Sequence, residues 1–150
     1  MYDLPKFSKG LIAVLVKSCT SPGEVIAEAI KLSEGDDFVL VLEPSEGIEA
    51  RLLPAYINAA IRKKDRAMHS GTFSLEILLF ISGTMNLGNA IERASARGNE
   101  FVIFSSSKKL SDKIISRHGM NVAKKYRLKL DLNKSSRISI ISIRDERLPQ

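Results

Sequence analysis

The stretch GLIAVLVKSCTSPGEVIAEAIKLSEGDDFVLVL, residues 10–42, places an amphipathic segment between two apolar runs. The runs at residues 10–17 and 38–42 are almost continuously apolar, which is typical of strands buried on both faces. Between them, Ser21-Pro22-Gly23-Glu24 is typical of a helix start with a capping box. The buried face of this helix is expected to comprise Val25, Ile26, Ala29 and Ile30. The stretch therefore predicts a strand–helix–strand crossover in a parallel or mixed sheet.

The rest of the chain continues this alternation of helices and strands. Ser74 and Asn86 are expected to cap helices, and Pro54 requires that its helix begin just before it. A turn at residues 133–136 makes a hairpin of the last two strands. The remaining predicted elements are helices around residues 52–64, 75–81, 87–97 and 107–118 and strands at residues 101–104, 126–132 and 137–144. The sequence predicts an α/β fold: a single domain over residues 1–150, with several helices packed on a mixed sheet of about four or five strands.

The composition of the chain indicates one packed domain, and its charge indicates the kind of partner that it binds. A hydrophobic fraction of 44% in 150 residues is enough for one packed core. The net charge of +6 is unevenly distributed, with −5 over residues 1–50, +3 over residues 51–100 and +8 over residues 101–150. A basic chain with its charge segregated in this way favours a polyanionic partner such as nucleic acid.

The cysteine content and the apolar runs predict a cytoplasmic protein. The one cysteine, Cys19, cannot form an internal disulfide, which favours a reducing compartment. The first residues do not form the pattern of a secretory signal. The longest apolar run, residues 75–81, is far shorter than the ~20 residues that a membrane span needs. We therefore expect no membrane association.

Residues for catalysis are scarce. Cys19 has only His69 and His118 as possible activating bases, with no spacing that indicates a catalytic pair or a metal site. Neither a phosphate-binding loop nor a dinucleotide motif is present. We therefore expect no catalytic residue, no metal and no cofactor. Glu76 stands inside an apolar run, and its position in solvent or in the favourable first turn of a helix is preferred over a buried, partnered carboxylate.

The candidate phosphate-binding side chains fall into three basic groups. Four cations lie within residues 62–66, just after an amphipathic helix. The alternative to phosphate binding is that Asp65 and solvent satisfy these charges. The predicted RNA-binding residues are Arg62, Lys63, Lys64, Arg66, Arg93, Arg97, Lys108 and Lys109, and Lys113 lies beside the last of these. Because most aromatic residues lie in apolar runs, a platform for stacking single-stranded bases is not evident.

Several motifs in residues 48–98 resemble one family. They are Ala55-x-x-x-Ala59-Ala60, Leu75-Glu76-Ile77-Leu78-Leu79-Phe80-Ile81-Ser82-Gly83-Thr84 and Leu87-x-x-Ala90-Ile91-Glu92. The stretch Lys124-Lys125-Tyr126-Arg127 is similar to the closing basic stretch of the same family. The family is that of the smallest subunit of the KEOPS (EKC) complex, also called PRPK-binding protein.

This resemblance implies a role without catalysis. Members of the family bind and activate the small kinase-like ATPase of the complex and help to recruit tRNA by its CCA end, for synthesis of threonylcarbamoyladenosine. It implies a kinase-binding set of Leu75, Leu79, Phe80, Met85, Leu87 and Ile91. After Ser-Gly-Thr the family usually has Arg, where this chain has Met85, so a phosphate donor is replaced by an adaptable apolar side chain.

Two alternatives remain beside this hypothesis. The chain could be a general RNA-binding α/β domain without a kinase partner, which the charge alone would explain. It could also be a small enzyme that uses Cys19 or a carboxylate, for which the sequence offers the least support. In the first hypothesis, an apolar surface made for a partner is expected to self-associate when that partner is absent.

Overall fold

A computed structural model describes Pro5, Phe7, Ser8 and residues 10–132 and 138–147, with side chains through Leu128. Five helices and five strands occupy this described part of the chain. In order they are β1 (Ile12–Lys17), α1 (Pro22–Leu32), β2 (Val39–Leu42), α2 (Glu49–Lys64), α3 (Phe73–Ser82), α4 (Leu87–Ala94), β3 (Glu100–Ser105), α5 (Lys108–Arg117), β4 (Asn121–Leu132) and β5 (Ile138–Arg147). The α/β class is confirmed, while the predicted turn at residues 133–136 lies outside the described residues.

The five strands form one sheet in the order β2-β3-β1-β4-β5. Every neighbouring pair is antiparallel, so the prediction of a mixed sheet is wrong. Strands β1 and β2 are both antiparallel to β3 and therefore run in the same direction, but β3 separates them. The predicted strand–helix–strand unit is present, with a later strand inserted between its two strands.

Helices cover both faces of the sheet. On one face, α2, α3 and α4 pack over Ala13, Leu42 and Phe104, which belong to the larger of two apolar clusters. On the other face, α1 and α5 pack over Val14 and Ile103, in the second cluster. Successive residues of a strand point to opposite faces, so the continuous apolar runs fill both clusters. Their predicted burial on both faces is confirmed.

The end signals of two helices differ from those predicted. Ser21 is the N-cap residue of α1, but its side chain makes no capping hydrogen bond, so the predicted capping box does not form. Thr72 caps α3 in place of Ser74, with its hydroxyl accepting from the Leu75 N–H at 3.4 Å. Asn86 caps α4 as predicted, and its Oδ1 accepts from the N–H of Asn89 at 3.0 Å.

The lengths of α2 and α4 also differ from expectation. Helix α2 begins at Glu49, so Pro54 lies inside it rather than at its start. Pro54 occupies the second turn, where its missing N–H costs one bond, to the carbonyl of Ala50 at the beginning of the helix. Helix α4 ends at Ala94 with Ser95 as its C-cap, before the predicted stop at Gly98.

The outer edge of β2 is closed by groups from two other segments. The Ser33 hydroxyl accepts from the Val39 N–H at 2.9 Å and also lies 3.3 Å from the Val39 carbonyl oxygen. Further along, the Ala96 N–H donates to the carbonyl oxygen of Val41 at 3.3 Å, and the Glu43 N–H donates to the carbonyl oxygen of Ala94 at 2.8 Å. These bonds satisfy main-chain groups that a bare edge strand would offer to another chain.

Replacing Ser33 tests this closure. We expect Ser33→Ala to lower the free energy of unfolding by about 1 kcal/mol, because the N–H of Val39 loses its acceptor. Urea denaturation of both proteins measures the change. Ser116→Ala, at an exposed position of α5, is the matched control and should stay within about 0.5 kcal/mol. Equal stabilities for Ser33→Ala and the wild type would contradict this account of the edge.

Candidate nucleic-acid and partner-binding surfaces

The segment between α2 and α3 folds around the carboxylate of Glu76. This side chain has no exposed surface. The main-chain N–H groups of His69 and Ser70 each donate to its Oε2 at 3.0 Å, and the Ser70 hydroxyl donates to the same oxygen at 3.0 Å. The His69 N–H is also 3.2 Å from Oε1. Glu76 does lie in the first turn of α3, as one of the two preferred interpretations had it, but a position in solvent is wrong: the carboxylate is buried and partnered, which was the less favoured alternative.

The hydrogen bonds keep this buried carboxylate ionised. Burial alone raises the pKa of the Glu76 carboxyl, since it disfavours the charged form. The bonds from His69 and Ser70, with a smaller effect of the His69 charge, act in the opposite direction and prevail, so the pKa lies below that of a free glutamate. The carboxylate is thus an internal anion that organises the donors of this segment.

Arg62 completes the surroundings of Glu76. Its Nε lies 4.0 Å from Oε1 of Glu76, and its Nη1 lies 2.6 Å from Nδ1 of His69. Its guanidinium carbon stands 5.2 Å from the centre of the Phe80 ring, within the range of a cation–π contact. Arg62 was predicted to bind RNA, but here its charge already faces a carboxylate and an aromatic ring inside the protein.

The remaining cations of this cluster differ in their exposure. Lys63 forms an ion pair with Asp36 and lies 5.0 Å from the centre of the Phe73 ring, so it too has partners within the protein. Lys64 and Arg66 are exposed. Arg66 has a φ of 55°, in the left-handed region, where the chain turns out of the helix. Of the four predicted RNA-binding residues here, these two are the most accessible.

The other predicted RNA-binding residues lie elsewhere on the molecule. The N–H of Arg97 donates to the carboxylate of Glu43, just after β2, which places Arg97 at the Glu100 end of the sheet with the exposed Arg93. The cluster at the end of α2 lies at the Ser105 end, because Lys63 binds Asp36 just before β2. The eight predicted residues do not form one surface.

Lys108 and Lys109 begin α5 shortly after Ser105 and are both exposed. They share the Ser105 end of the sheet with the α2 cluster, but α5 packs on the opposite face. Lys108 forms an ion pair with Asp112 at 3.1 Å. Any nucleic acid that touches both groups must therefore pass around this end of the sheet.

The predicted kinase-binding residues divide by exposure. Met85 and Ile91 are 49% and 45% exposed, and Leu75, Phe80 and Leu87 are partly buried against the core. Leu79 is 1% exposed, so its predicted contact with a partner is wrong. Its side chain belongs to the larger apolar cluster, against which Leu75, one helical turn earlier, is only partly buried.

One exposed apolar residue was missed by the sequence analysis. Ile30 was expected to face the core but is 66% exposed, the highest value among the exposed large apolar side chains of the described residues. Val25 and Ala29 face the sheet, while Ile26 is half-buried at their side. Ile26 and Ile30 are one helical turn apart and lie beside Val25 and Ala29. This spacing was the only feature of the sequence that could have indicated a second, exposed apolar edge on α1.

A cavity of about 630 Å³ lies at the Ser105 end of the sheet. Its walls include Phe7, Tyr56, Phe73, Lys63 and Ser106. The Tyr56 hydroxyl accepts from the N–H of Ser8 at 2.6 Å. Burial, opposed by the bond from Ser8 and helped by the nearby charge of Asp36, raises the pKa of this hydroxyl, so it stays protonated at neutral pH.

Within the described residues, no group of three or more His, Cys, Asp or Glu side chains could hold a metal ion, and Cys19 is an exposed free thiol. In the same part of the chain, no single helix is long and apolar enough to cross a membrane. Helices α3 and α4 satisfy the criteria of length and composition only as a pair, with a bend of 70° between them.

No protein-family model matches this chain, and a search of curated proteins found no match.

Removing the charge of Glu76 tests its organising role. We expect Glu76→Gln to lower the free energy of unfolding by about 2–3 kcal/mol at pH 7, since several donors lose a charged acceptor. Because the pKa of Glu76 is lowered by folding, the wild type should lose this advantage as the pH falls below about 4.3, the ordinary glutamate value. Urea denaturation at pH 7 and near pH 3 measures both effects. A gap between wild type and variant that is the same at both pH values would contradict the assignment.

Proposed function

We propose that this protein is a non-catalytic subunit of a KEOPS-type complex, which binds and activates a small kinase-like ATPase and helps to recruit tRNA by its CCA end. The observation that carries the proposal is the presence of two chemically different exposed surfaces in the region of the family resemblance, one apolar and one basic. They lie on neighbouring elements, α2 to α4, within one helical layer. Such a division suits a protein that holds a protein partner and an RNA at once.

The apolar surface comprises Met85 and Ile91 together with the partly buried Leu75, Phe80 and Leu87. Helix α4 is short and polar on most of its exposed side, so the core does not explain the exposure of Ile91 in this helix or of Met85 just before it. Contiguous apolar surface on a single chain typically marks a binding site. The flexible Met85, where the family usually has Arg, favours an apolar contact at that point.

The basic surface rests on Lys64 and Arg66, which are exposed beyond the end of α2. The segment that follows them is fixed by Glu76, so these cations are presented by an ordered part of the chain. Cations of this kind bind phosphates through charge, with little dependence on base sequence. Recognition of one RNA end would therefore come from the complex as a whole and from the shape of its site.

The proposal places the protein in the cytosol, where its tRNA substrate and an ATPase partner are found. Without that partner, the exposed apolar surface is expected to make copies of the chain associate weakly. The alternative, a general RNA-binding domain, has the same basic residues in its favour. It predicts RNA binding without any complex with the ATPase.

Neutralising Lys64 and Arg66 tests the contact with tRNA. In Lys64→Gln/Arg66→Gln, we expect the slope of log K against log salt concentration to decrease in magnitude by about 1.4, since two phosphate contacts are lost. Filter binding of intact tRNA over a series of salt concentrations measures it. Lys17→Gln/Lys31→Gln removes the same charge from exposed positions outside the cluster and should leave the slope nearly unchanged. Equal slopes for the two double variants would mean that the attraction is non-specific.

Placing a charge on the apolar surface tests the protein partner. We expect Ile91→Glu to weaken binding of the purified small kinase-like ATPase at least about tenfold, because a carboxylate would be buried in an apolar contact. Isothermal titration calorimetry measures the affinity. Glu92→Gln, at the exposed neighbouring position, is the control and should bind as the wild type does. If the wild-type protein gives no complex with the ATPase, the proposed function is wrong and the general RNA-binding alternative is favoured.

A further inference from the structure

Arg62 and His69 share a hydrogen bond that only one protonation state of the histidine ring allows. Nη1 of Arg62 lies 2.6 Å from Nδ1 of His69. A guanidinium has N–H donors and no acceptor, so Nδ1 must accept this bond with its lone pair. In this arrangement the ring is therefore neutral and carries its proton on Nε2. A proton added at Nδ1 removes the acceptor and sets two cations against each other.

The His69 ring faces charged groups from two helices. Arg62 comes from α2, and Oε1 of Glu76, in α3, lies 3.7 Å from Nδ1 of His69. At and just beyond the end of α2 stand the exposed Lys64, Asp65 and Arg66. Histidine side chains usually change charge between about pH 5 and 8. Since the pKa of the Glu76 carboxyl lies below that of a free glutamate, Glu76 is ionised over that whole range, and His69 takes up its proton beside a fixed anion.

We infer that protonation of His69 frees Arg62 for a phosphate, so that binding of RNA at this edge of the molecule is coupled to the uptake of one proton from solvent. In the neutral state, the Arg62 guanidinium lies beside Glu76. In the protonated state, the Nδ1–H of His69 donates to Oε1 of Glu76 and replaces Arg62 there. The guanidinium then joins Lys64 and Arg66 as a third phosphate contact. This inference rests on the proposed function, which supplies the RNA.

The geometry decides which of the two side chains moves. The main-chain N–H of His69 donates to Glu76 at 3.0 Å, so the ring is held near the carboxylate by its own backbone. The distance from Nδ1 to Oε1 has to shorten by only about 0.5–1 Å to form a hydrogen bond. Arg62 has a longer and more flexible side chain, which is already 31% exposed. The guanidinium can therefore turn into solvent while the ring stays in place.

The exchange removes the cost that keeps Arg62 from a phosphate in the neutral state. A phosphate that takes Arg62 away leaves the buried carboxylate of Glu76 with one cation fewer, which is unfavourable. When His69 is protonated, its charge takes the place of the guanidinium, and Glu76 keeps a cation while Arg62 binds the phosphate. Protonation and phosphate binding then favour each other to the same extent, as thermodynamic linkage requires.

The salt dependence of RNA binding at two pH values tests the coupling. From about pH 8 to about pH 5.5, we expect the slope of log K against log salt concentration for intact tRNA to increase in magnitude by about 0.7, since one phosphate contact is gained. In His69→Gln the amide oxygen still accepts from Arg62 but takes up no proton, so this variant should lose the increase. The matched control is His118→Gln, which removes the histidine that pairs with Glu28 between α5 and α1. It should keep the increase, and an increase that His69→Gln also keeps would overturn the inference.

Arg62→Gln separates the exchange from a simpler effect of charge. If the protonated His69 ring itself bound the phosphate, Arg62→Gln would keep the increase in slope, and the inference would be wrong. We expect Arg62→Gln to lose the increase. Unfolding midpoints at both pH values show that the variants compared are folded.

Nitrogen NMR spectra of the wild type test the exchange without a variant and without RNA. At about pH 8 the His69 ring should carry its proton on Nε2, and the Nε–H signal of Arg62 should shift with the same midpoint as the protonation of His69. A proton on Nδ1 at this pH, or an Arg62 signal that does not follow His69, would contradict the exchange.

The outcomes separate this inference from the proposed function. If the wild type binds tRNA with a slope that is the same at both pH values, the coupling is wrong and the proposed function stands. If the wild type binds no tRNA at either pH, the proposed contact with RNA is wrong and the coupling falls with it, whatever the spectra show.

Discussion

The burial of the Glu76 carboxylate is the constraint on which the arrangement of α2 and α3 depends. A carboxylate without exposed surface is costly unless charge-assisted hydrogen bonds replace its water. Here the replacement comes from the main chain of His69 and Ser70, so the segment between the helices can take only conformations that aim these N–H groups at Glu76. The same segment ends at the Thr72 cap of α3. The angle at which the chain enters α3 is therefore set by an anion inside the protein.

Much of the fold follows from local patterns, whereas the strand pairing does not. The apolar runs of β1 and β2 and the helix between them could be predicted because each pattern is contained in a few neighbouring residues. Continuous apolar runs usually indicate parallel strands covered on both faces. In this sheet the strands are covered on both faces but antiparallel, since β3 enters between β1 and β2 from nearly sixty residues further along the chain. Nothing in residues 10–42 could reveal that insertion.

The candidate site shows the same limit at the level of single side chains. Helix α3 is apolar on most sides, so periodicity could not distinguish Leu79, which is buried, from Phe80, which is partly exposed. In α1, Val25 and Ala29 form one apolar pair, and Ile26 and Ile30 form a second pair beside it. The sequence does not say which of the two pairs faces the sheet. In the sequence, Arg62 to Arg66 form one basic cluster. In the structure, consecutive residues of a helix point in different directions, so these side chains have different surroundings. Arg62 and Lys63 are partly buried and contact Glu76 and Asp36, which lie outside this stretch, whereas Lys64 and Arg66 are exposed.

Arg62 is the residue at which the two proposed surfaces meet. Its guanidinium lies over Phe80, which belongs to the apolar surface, and beside Glu76, which fixes the segment that follows the basic residues. A phosphate that took Arg62 would leave the buried carboxylate with one cation fewer, at a cost in free energy that an exposed cation does not impose. The proposed function therefore assigns phosphate contact to the exposed Lys64 and Arg66, and Arg62 lies between the two proposed surfaces. One cation of a basic cluster can in this way belong to the scaffold of a site while other members of the cluster belong to its surface.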